Sequence, residues 1–256
     1  RSAWSWPPGA ARTSSGCCPT SLASPSCSSS ARAERTLSLP WRYSPPRRFS
    51  DIIRADLPPS FDALKLAARE VGSIQIQNVG TVAGNLCNAS PAADGVPPLL
   101  VLDAEVELRS RQGTRNVPLG AFILGNRRTS LRQGELVTAI RVPEVATAGR
   151  SSFVKLGARR YLVISIAMAA VRLTVEPGSR IGEIAVSIGA CSAVACRLWA
   201  LEAKLAGAPL ADAGAVVLQH DFSELSPIDD VRATADYRRE AARELVARAL
   251  LPLIDT

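Results

Sequence analysis

The chain has 256 residues, enough to bury a substantial core in one large domain or two modest ones. Apolar residues make up 47% and charged residues 21%, as in ordinary globular proteins, and the longest apolar run, "YLVISIAMAAV", is too short to span a membrane. The net charge of +7 lies almost wholly in residues 1–50, which hold seven arginines and one glutamate, and the rest of the chain has no clustered basic stripe. This distribution argues against nucleic-acid binding.

Residues 1–47 differ in composition from the rest of the chain. The first 50 positions contain 13 serines and three of the four tryptophans, and no apolar period of 2 or 3.6 persists through them. A secretory signal peptide needs a basic start, a continuous apolar stretch and a small-residue cleavage site, which are not arranged that way here. We expect either a disordered tail or a segment translated out of frame. In another frame, Ala3 to Ser14 is compatible with a strand that runs into a glycine-rich turn.

From about residue 48 the sequence shows regular patterns. One helical face is predicted after the start "PPS", made of Phe61, Leu64, Leu66, Ala67 and Val71. "IQIQNVGTVAGN" is a short apolar alternation followed by small residues that tolerate positive φ or close backbone approach. Then "LLVLDAEVELRS" alternates as a strand, Gly113 marks a turn, and "GELVTAIRVP" predicts a further strand that ends at proline.

The second half is predicted to be a separate small α+β unit. The boundary is expected in "EVATAG", which gives one domain at 48–145 and another at 150–256. "SSFVKLGARR", "VISIAMAAVRLTVE" and "IGEIAVSIGAC" predict three strands separated by turns. One face of a long C-terminal helix is predicted to be buried through Ala242, Leu245, Val246, Ala249 and Leu253.

Residues with catalytic or metal-binding chemistry are sparse. His220 is the only histidine, with no neighbour to share a metal and no nucleophile elbow, so a surface or packing role is expected. The cysteine spacings fit neither zinc nor iron–sulfur sites. Cys87, Cys191 and Cys196 lie among apolar residues and are predicted to be buried free thiols of a reducing cytoplasm. We therefore assign no catalytic residue and no metal ligand.

The segment "QNVGTVAGNLCNASPAAD" is suited to holding an anion. Its small residues would let the backbone approach a ligand, and the amides of residues 82–85 could point at a pyrophosphate. Thr81 and Asn85 add side-chain donors, and Asp94 could accept hydrogen bonds from a hydroxyl-bearing linker such as ribose or ribityl. By spacing alone, a tight Gly-Asn turn between a helix and a strand is the stronger explanation.

The stretch "TVAGNLCNASPAAD" closely resembles the second FAD-binding motif of the flavoprotein subunit of molybdenum hydroxylases, the xanthine dehydrogenase and carbon monoxide dehydrogenase medium-chain family. The resemblance continues through "FVKLGARRYLVISIAMAAV" and "LSPIDDVRATADYRREAARELVARAL" and covers about residues 48–256. Ala83 stands at the family's first motif glycine, a small departure that still permits close approach. The implied fold class is α+β: a two-subdomain FAD-binding fold (PCMH/VAO-like), then a small three-stranded antiparallel sheet with helices.

The resemblance also implies the cofactor-binding residues. They are Thr81, Val82, Ala83, Gly84 and Asn85 on the FAD pyrophosphate, Asp94 on the flavin's linker, Val137 (with Leu136 as the alternative) packing on the cofactor, and Lys155 on the cofactor side. Taken alone, Lys155 would instead be assigned as a solvated strand lysine. The family's first FAD motif, an "AGGTD"-like turn, is absent as written, although the out-of-frame text is compatible with it. Whether the chain retains FAD is therefore open.

The family resemblance implies one subunit of a larger oxidoreductase. Electrons would leave a molybdenum centre on a large molybdopterin subunit, cross two [2Fe-2S] clusters on a small subunit, and pass through FAD to NAD+ or another acceptor. A cytoplasmic dimer of heterotrimers is the expected assembly. Two alternatives stay open: a standalone FAD-dependent oxidoreductase, and a non-flavinated scaffold subunit with a broken FAD cradle.

Overall fold

The computed structural model describes residues 42–43, 47–160 and 162–254. The segment for which an out-of-frame origin is predicted lies almost entirely outside them, so that hypothesis stays a prediction. Helices of the first half are α1 (Phe49–Arg54), α2 (Asp62–Glu70), α3 (Ile74–Val79), α4 (Val82–Asn88), α5 (Val96–Val101) and α6 (Leu119–Phe122). Helices of the second half are α7 (Trp199–Leu205), α8 (Ala213–Gln219) and α9 (Ala235–Ile254).

The described strands form two antiparallel sheets and a short hairpin. Strands of the first half are β1 (Arg42–Tyr43), β2 (Glu105–Ser110), β3 (Gly113–Pro118), β4 (Ile123–Gly125), β5 (Arg128–Thr129) and β6 (Leu136–Arg141). Strands of the second half are β7 (Arg150–Leu156), β8 (Ala167–Glu176), β9 (Arg180–Gly189) and β10 (Cys196–Arg197). The sheet orders are β1-β6-β2-β3 and β10-β9-β8-β7, and β4 pairs with β5.

The first half confirms the predicted helix and hairpin and corrects two segments. The helix α2 buries Leu64 and Ala67, whereas Leu66 is 37% exposed and Val71 caps the C-terminal end of the helix. The β2–β3 hairpin turns at Gly113, whose φ is 144°. The alternation "IQIQ" forms the helix α3 instead of an extended segment, because Ser73 caps its first turn by accepting from the amide of Ile76. "LLV" at 99–101 ends the buried helix α5, and the strand begins only at Glu105. The segment predicted to hold an anion, "QNVGTVAGNLCNASPAAD", is therefore largely helical.

The second half confirms the three predicted strands and adds a short fourth one among the described residues. The strand β10 is too short to show a period in the sequence, and it pairs with β9 through Cys196 and Ile188. The helix α9 packs on β7 and β8. All five of its predicted core residues are buried. No helix in the described ranges has both the length and the apolar character needed to cross a membrane.

The two halves meet at a small apolar cluster and two arginines. The cluster places Ala67 of α2 and Val101 of α5 against Phe153 and Met168 of the second sheet. Buried Arg172 donates from Nε to the carbonyl of Val101 at 2.7 Å. Likewise, Nη1 of Arg197 donates to the carbonyl of Leu100 at 3.1 Å and to Asp103 at 2.7 Å. These bonds satisfy carbonyls at the C-terminal end of α5 and fix it against the second sheet.

The predicted roles of the histidine and the cysteines hold in part. His220 is buried, its Nε2 lies 2.9 Å from Glu224, and its ring packs edge-on against Phe222, so its role is packing. Cys191 is a buried free thiol, and burial raises its pKa to about 12. The prediction for Cys87 is wrong: this thiol is exposed, because its side of the short helix α4 faces away from the core.

The salt bridge between Arg115 and Glu135, at the end of the first sheet, should make the stability of the fold depend on pH. Glu135 accepts from Arg115 at 2.7 and 2.8 Å and from the amide of Arg132, and these contacts lower its pKa to about 2. A carboxylate with a depressed folded-state pKa stabilises the fold above its unfolded pKa and loses that contribution as the pH falls through the folded pKa. We expect the melting temperature to fall between about pH 4.5 and pH 2, and Glu135→Gln to flatten that fall. Melting temperatures measured as a function of pH for the wild type and Glu135→Gln test this prediction. The same slope of melting temperature against pH in both proteins would contradict it.

Candidate functional site

The predicted anion-binding segment forms the start of α4. Thr81 is the N-cap of this helix, and its hydroxyl oxygen accepts from the amide of Gly84 at 3.0 Å. A hydroxyl both accepts and donates, so its O–H can still donate to a phosphate oxygen. The amide of Val82 donates to the carbonyl of Arg47, and that of Asn85 donates to the carbonyl of Thr81. Amides at three of the four predicted positions are thus engaged within the protein, so the side chain of Thr81 and the open face of Gly84 are the better candidates for ligand contact.

Gly80 and Gly84 allow neighbouring atoms to approach the backbone closely, and neither is needed for a positive φ. Gly80 has φ of −68° and Gly84 lies within α4; the left-handed residue at this helix is Ala89, with φ of 47°. A Cβ on Gly84 would lie 2.8 Å from Oγ1 of Thr81, and one on Gly80 would lie 2.9 Å from the carbonyl oxygen of Ile76. Glycine at position 84 therefore preserves the cap by Thr81 and places no side chain over the first turn of α4.

Two predicted site residues, Asp94 and Lys155, form a buried ion pair. Nζ of Lys155 lies 2.7 Å from Oδ2 of Asp94, across 61 positions of sequence, and also donates to the carbonyl of Glu70 at 3.3 Å. Only 6% of the lysine side chain and 10% of the aspartate side chain are exposed. A solvated lysine is thus excluded by the structure, and the pair joins the first half to β7 of the second.

A third residue, Ser165, completes this cluster. Its hydroxyl donates to Oδ1 of Asp94 at 2.7 Å. Burial raises the pKa of Asp94, while the charge of Lys155 and the hydrogen bonds from Lys155 and Ser165 oppose the rise. Each carboxylate oxygen has a further lone pair, so Asp94 keeps the capacity to accept from ligand hydroxyls. Sequence patterns did not identify Ser165; its only signal is a small polar residue inside the apolar run "VISIA".

A cleft of about 400 Å³ brings Asn85 and Asp94 together. Its lining includes the polar residues Asn85, Asn88 and Asp94 and the apolar residues 162–164. Oδ1 of Asn85 is buried without a hydrogen-bond partner among the described residues, and Gly95 leaves it room, since a Cβ there would lie 2.9 Å away. The polar groups that line the cleft, one carboxylate and two side-chain amides among them, are suited to hydrogen bonds with the hydroxyl-bearing linker of FAD, so the cleft fits that part of the cofactor.

A larger cavity of about 740 Å³ adjoins this cleft. The two share Ser90, Ala92 and Ile164, and the larger one also contains Ile228 and Val231 from the second half. Each volume falls within the range of about 300–1,000 Å³ typical of small-molecule sites. Both contain apolar and polar lining residues, and the larger one also includes Arg232 and Arg238.

The predicted contact residue Val137 does not line the cleft around Asp94. The strand β6 packs against α4. Val137 packs on the first core, and Leu136, the alternative, is 72% exposed. Leu136 does not line the cleft either. The structure therefore brings together Asn85, Asp94 and Lys155, while Val137 stays a prediction.

Comparison with known proteins identifies the family. The family described as "FAD binding domain in molybdopterin dehydrogenase" matches residues 47–145, and "CO dehydrogenase flavoprotein C-terminal domain" matches residues 152–253. The glyceraldehyde dehydrogenase medium chain of Sulfolobus acidocaldarius is 31% identical over 207 residues, which are 79% of this chain and 72% of that one. The chain belongs to the FAD-binding medium subunits of molybdenum hydroxylases.

Other members of this family agree in sequence and in fold. The carbon monoxide dehydrogenase medium chain of Afipia carboxidovorans is 32% identical over 206 residues, covering 78% of this chain and 68% of that one. The solved structure of reconstituted CO dehydrogenase from Oligotropha carboxidovorans aligns with a TM-score of 0.71 at 26% identity, over 80% of this chain and 72% of that chain. The predicted α+β fold class and the family resemblance are thereby confirmed.

For this medium subunit, Gly84→Ala should weaken FAD binding without unfolding the chain. The added methyl collides with the hydroxyl of Thr81, and loss of that cap costs about 1 kcal/mol, roughly offset by the better helix propensity of alanine. Because the methyl group also covers the first turn of α4, where the pyrophosphate is predicted to bind, we expect about tenfold weaker FAD binding in a fluorescence titration. Gly214→Ala in α8 is the matched control, since its Cβ meets no atom within 4 Å. Equal affinities for the two variants would contradict the assignment.

Proposed function

We propose that this chain holds FAD in the cleft around Asp94 and serves as the electron-transfer subunit of a molybdenum hydroxylase. The supporting observation is the cluster of Asp94, Lys155 and Asn85, three predicted cofactor residues drawn together from both halves. In this proposal the segment from Thr81 to Asn85 binds the FAD pyrophosphate, chiefly through Thr81 and Gly84. Asp94 accepts from the hydroxyls of the flavin's linker, and Val137 and Lys155 lie on the cofactor side. Bound FAD supplies the redox chemistry, and the protein binds and orients it.

The proposed electron path runs from a molybdopterin-binding large subunit through [2Fe-2S] clusters on a small subunit to this chain, and then to NAD+ or another acceptor. A dimer of such heterotrimers in the cytoplasm is the proposed assembly. Exposed Ile164, Ile228 and Val231 around the larger cavity support a surface that is covered in the working complex. The described free thiols are compatible with a reducing compartment. We also propose a functional division at 48–145 and 150–256.

An anaerobic reoxidation experiment tests the electron path. The chain is loaded with FAD, reduced with light and a sacrificial donor, and mixed with NAD+. Formation of NADH, with return of the oxidised flavin spectrum, supports NAD+ as acceptor, while reoxidation only by a quinone or a dye assigns another acceptor. Turnover of a small organic substrate by the isolated chain would instead support a standalone oxidoreductase. A chain that stays colourless after addition of FAD would support the scaffold alternative.

A further inference from the structure

Ser165 occupies a buried position beside the proposed flavin site. It lies in the connection between β7 and β8, its side chain is fully buried, and its hydroxyl donates to the oxygen of Asp94 that does not contact Lys155. We propose that Ser165 is a positioning residue for FAD: it fixes the Asp94 carboxylate in the orientation that receives the flavin's linker. The proposal rests on FAD binding at Asp94.

The need for a second donor follows from the geometry of a carboxylate. A carboxyl group paired at one oxygen can still rotate about its terminal bond, since torsions of this kind are broad. Lys155 contacts Oδ2, and Ser165 contacts Oδ1, both at 2.7 Å. Charge-assisted hydrogen bonds to both oxygens fix the plane of the group and stabilise its ionised form. The remaining lone pairs then point in set directions before any ligand arrives.

Ser165 is itself held from the opposite side by the segment 230–238. Its carbonyl accepts from Nη1 of Arg232 at 2.9 Å, and the same guanidinium pairs with Asp230. The next carbonyl, that of Ile166, accepts from Nη1 of Arg238 at 2.5 Å. The position of the serine hydroxyl is thus set by the second half of the chain. A ligand site pre-organised in this way loses less conformational entropy on binding.

A purely structural role for Ser165 makes a different prediction, and Ser187 allows the two to be separated. Ser187 is equally buried, lies on β9, and donates to the carbonyl of Cys196 at 3.0 Å. Alanine at either position removes one buried hydroxyl and one hydrogen bond. Only Ser165 contacts Asp94, so only its loss should alter the flavin site.

The test compares FAD affinity, by quenching of flavin fluorescence, with thermal unfolding of the FAD-free chain. We expect Ser165→Ala to weaken FAD binding about tenfold and Ser187→Ala to change it by less than about twofold, with similar melting shifts for both. Ser165→Thr, which keeps the hydroxyl, should bind FAD like the wild type. If Ser165→Ala does not fold, Ser165→Cys takes its place, because it keeps the volume and lacks a strong donor.

The outcomes distinguish this inference from the proposed function. If the wild type binds FAD and Ser165→Ala binds it equally well, the positioning role is overturned while the FAD site stands. The same holds if Ser187→Ala weakens FAD binding as much as Ser165→Ala does. Failure of Ser165→Thr to restore affinity overturns it as well, provided that this variant melts like the wild type and so accommodates the added methyl group. A wild-type chain that binds no FAD overturns the proposed function, and the positioning role with it.

Discussion

Lys155→Met is expected to abolish FAD binding and to lower the free energy of unfolding at pH 7 by about 3–5 kcal/mol. The lysine supplies the only cationic partner within hydrogen-bonding distance of Asp94 among the described residues, and both side chains are almost fully buried. Without it, an uncompensated carboxylate remains in the interior. Urea denaturation measures the stability and flavin fluorescence the binding.

The pH dependence of the same variant has a defined sign. Loss of Lys155 removes the charge that opposes burial, so the folded-state pKa of Asp94 rises further above its unfolded value. Below the unfolded pKa the aspartate is protonated in both states and the penalty is absent. The penalty grows as the pH rises from the unfolded to the folded pKa and is complete above the folded pKa. Adding Asp94→Asn should recover part of the stability but not the FAD binding. Lys65→Met on α2 is the control, and an equal loss there would contradict the ion-pair explanation.

Arg238→Met should destabilise the second half by about 3–5 kcal/mol. This arginine is 1% exposed, and its guanidinium donates to the carbonyls of Ile166 and Ala190 and to Asp230. Methionine fills much of the volume but leaves two buried carbonyls without their donor. Urea denaturation of the FAD-free chain measures the loss.

The neighbouring arginine gives a matched control for this prediction. Arg239 forms a surface pair with Asp236, which is 95% exposed on its side chain. Exposed pairs of this kind contribute about 0.5 kcal/mol or less, so Arg239→Met should leave the unfolding midpoint nearly unchanged. Comparable losses from the two variants would show that the buried network around Asp230 does not hold the segment 230–238 in place.

Strong periodic patterns made much of the fold predictable. The helix α9 and the strands β7 to β9 are long enough for their apolar spacing to mark a buried face, and the structure confirms them. The alternation at 74–79 did not predict the helix α3, because two apolar residues in alternation fit a strand and a helical turn equally well. Its capping serine decides the matter, and that local signal was available in the sequence.

The candidate site was predictable only through the family resemblance. Spacing alone favoured a simple turn for residues 80–85, and a solvated position for Lys155. The pairing of Lys155 with Asp94 depends on how β7 docks against the first half, which no local pattern encodes. Ser165 and Arg232 lie within segments that resemble the family, but no pattern marks their roles. Those roles follow from tertiary contacts: the Ser165 hydroxyl donates to Asp94, and Arg232 donates to the carbonyl of Ser165.

Equilibrium titration of FAD against the purified wild-type chain and Asp94→Asn tests the central claim most directly. We expect the wild type to bind one flavin per chain, and Asp94→Asn, which weakens the pairing with Lys155 and Ser165, to bind about tenfold or more weakly while remaining folded. Equal affinity of the two proteins, or no flavin bound by either, would contradict a FAD site built around Asp94.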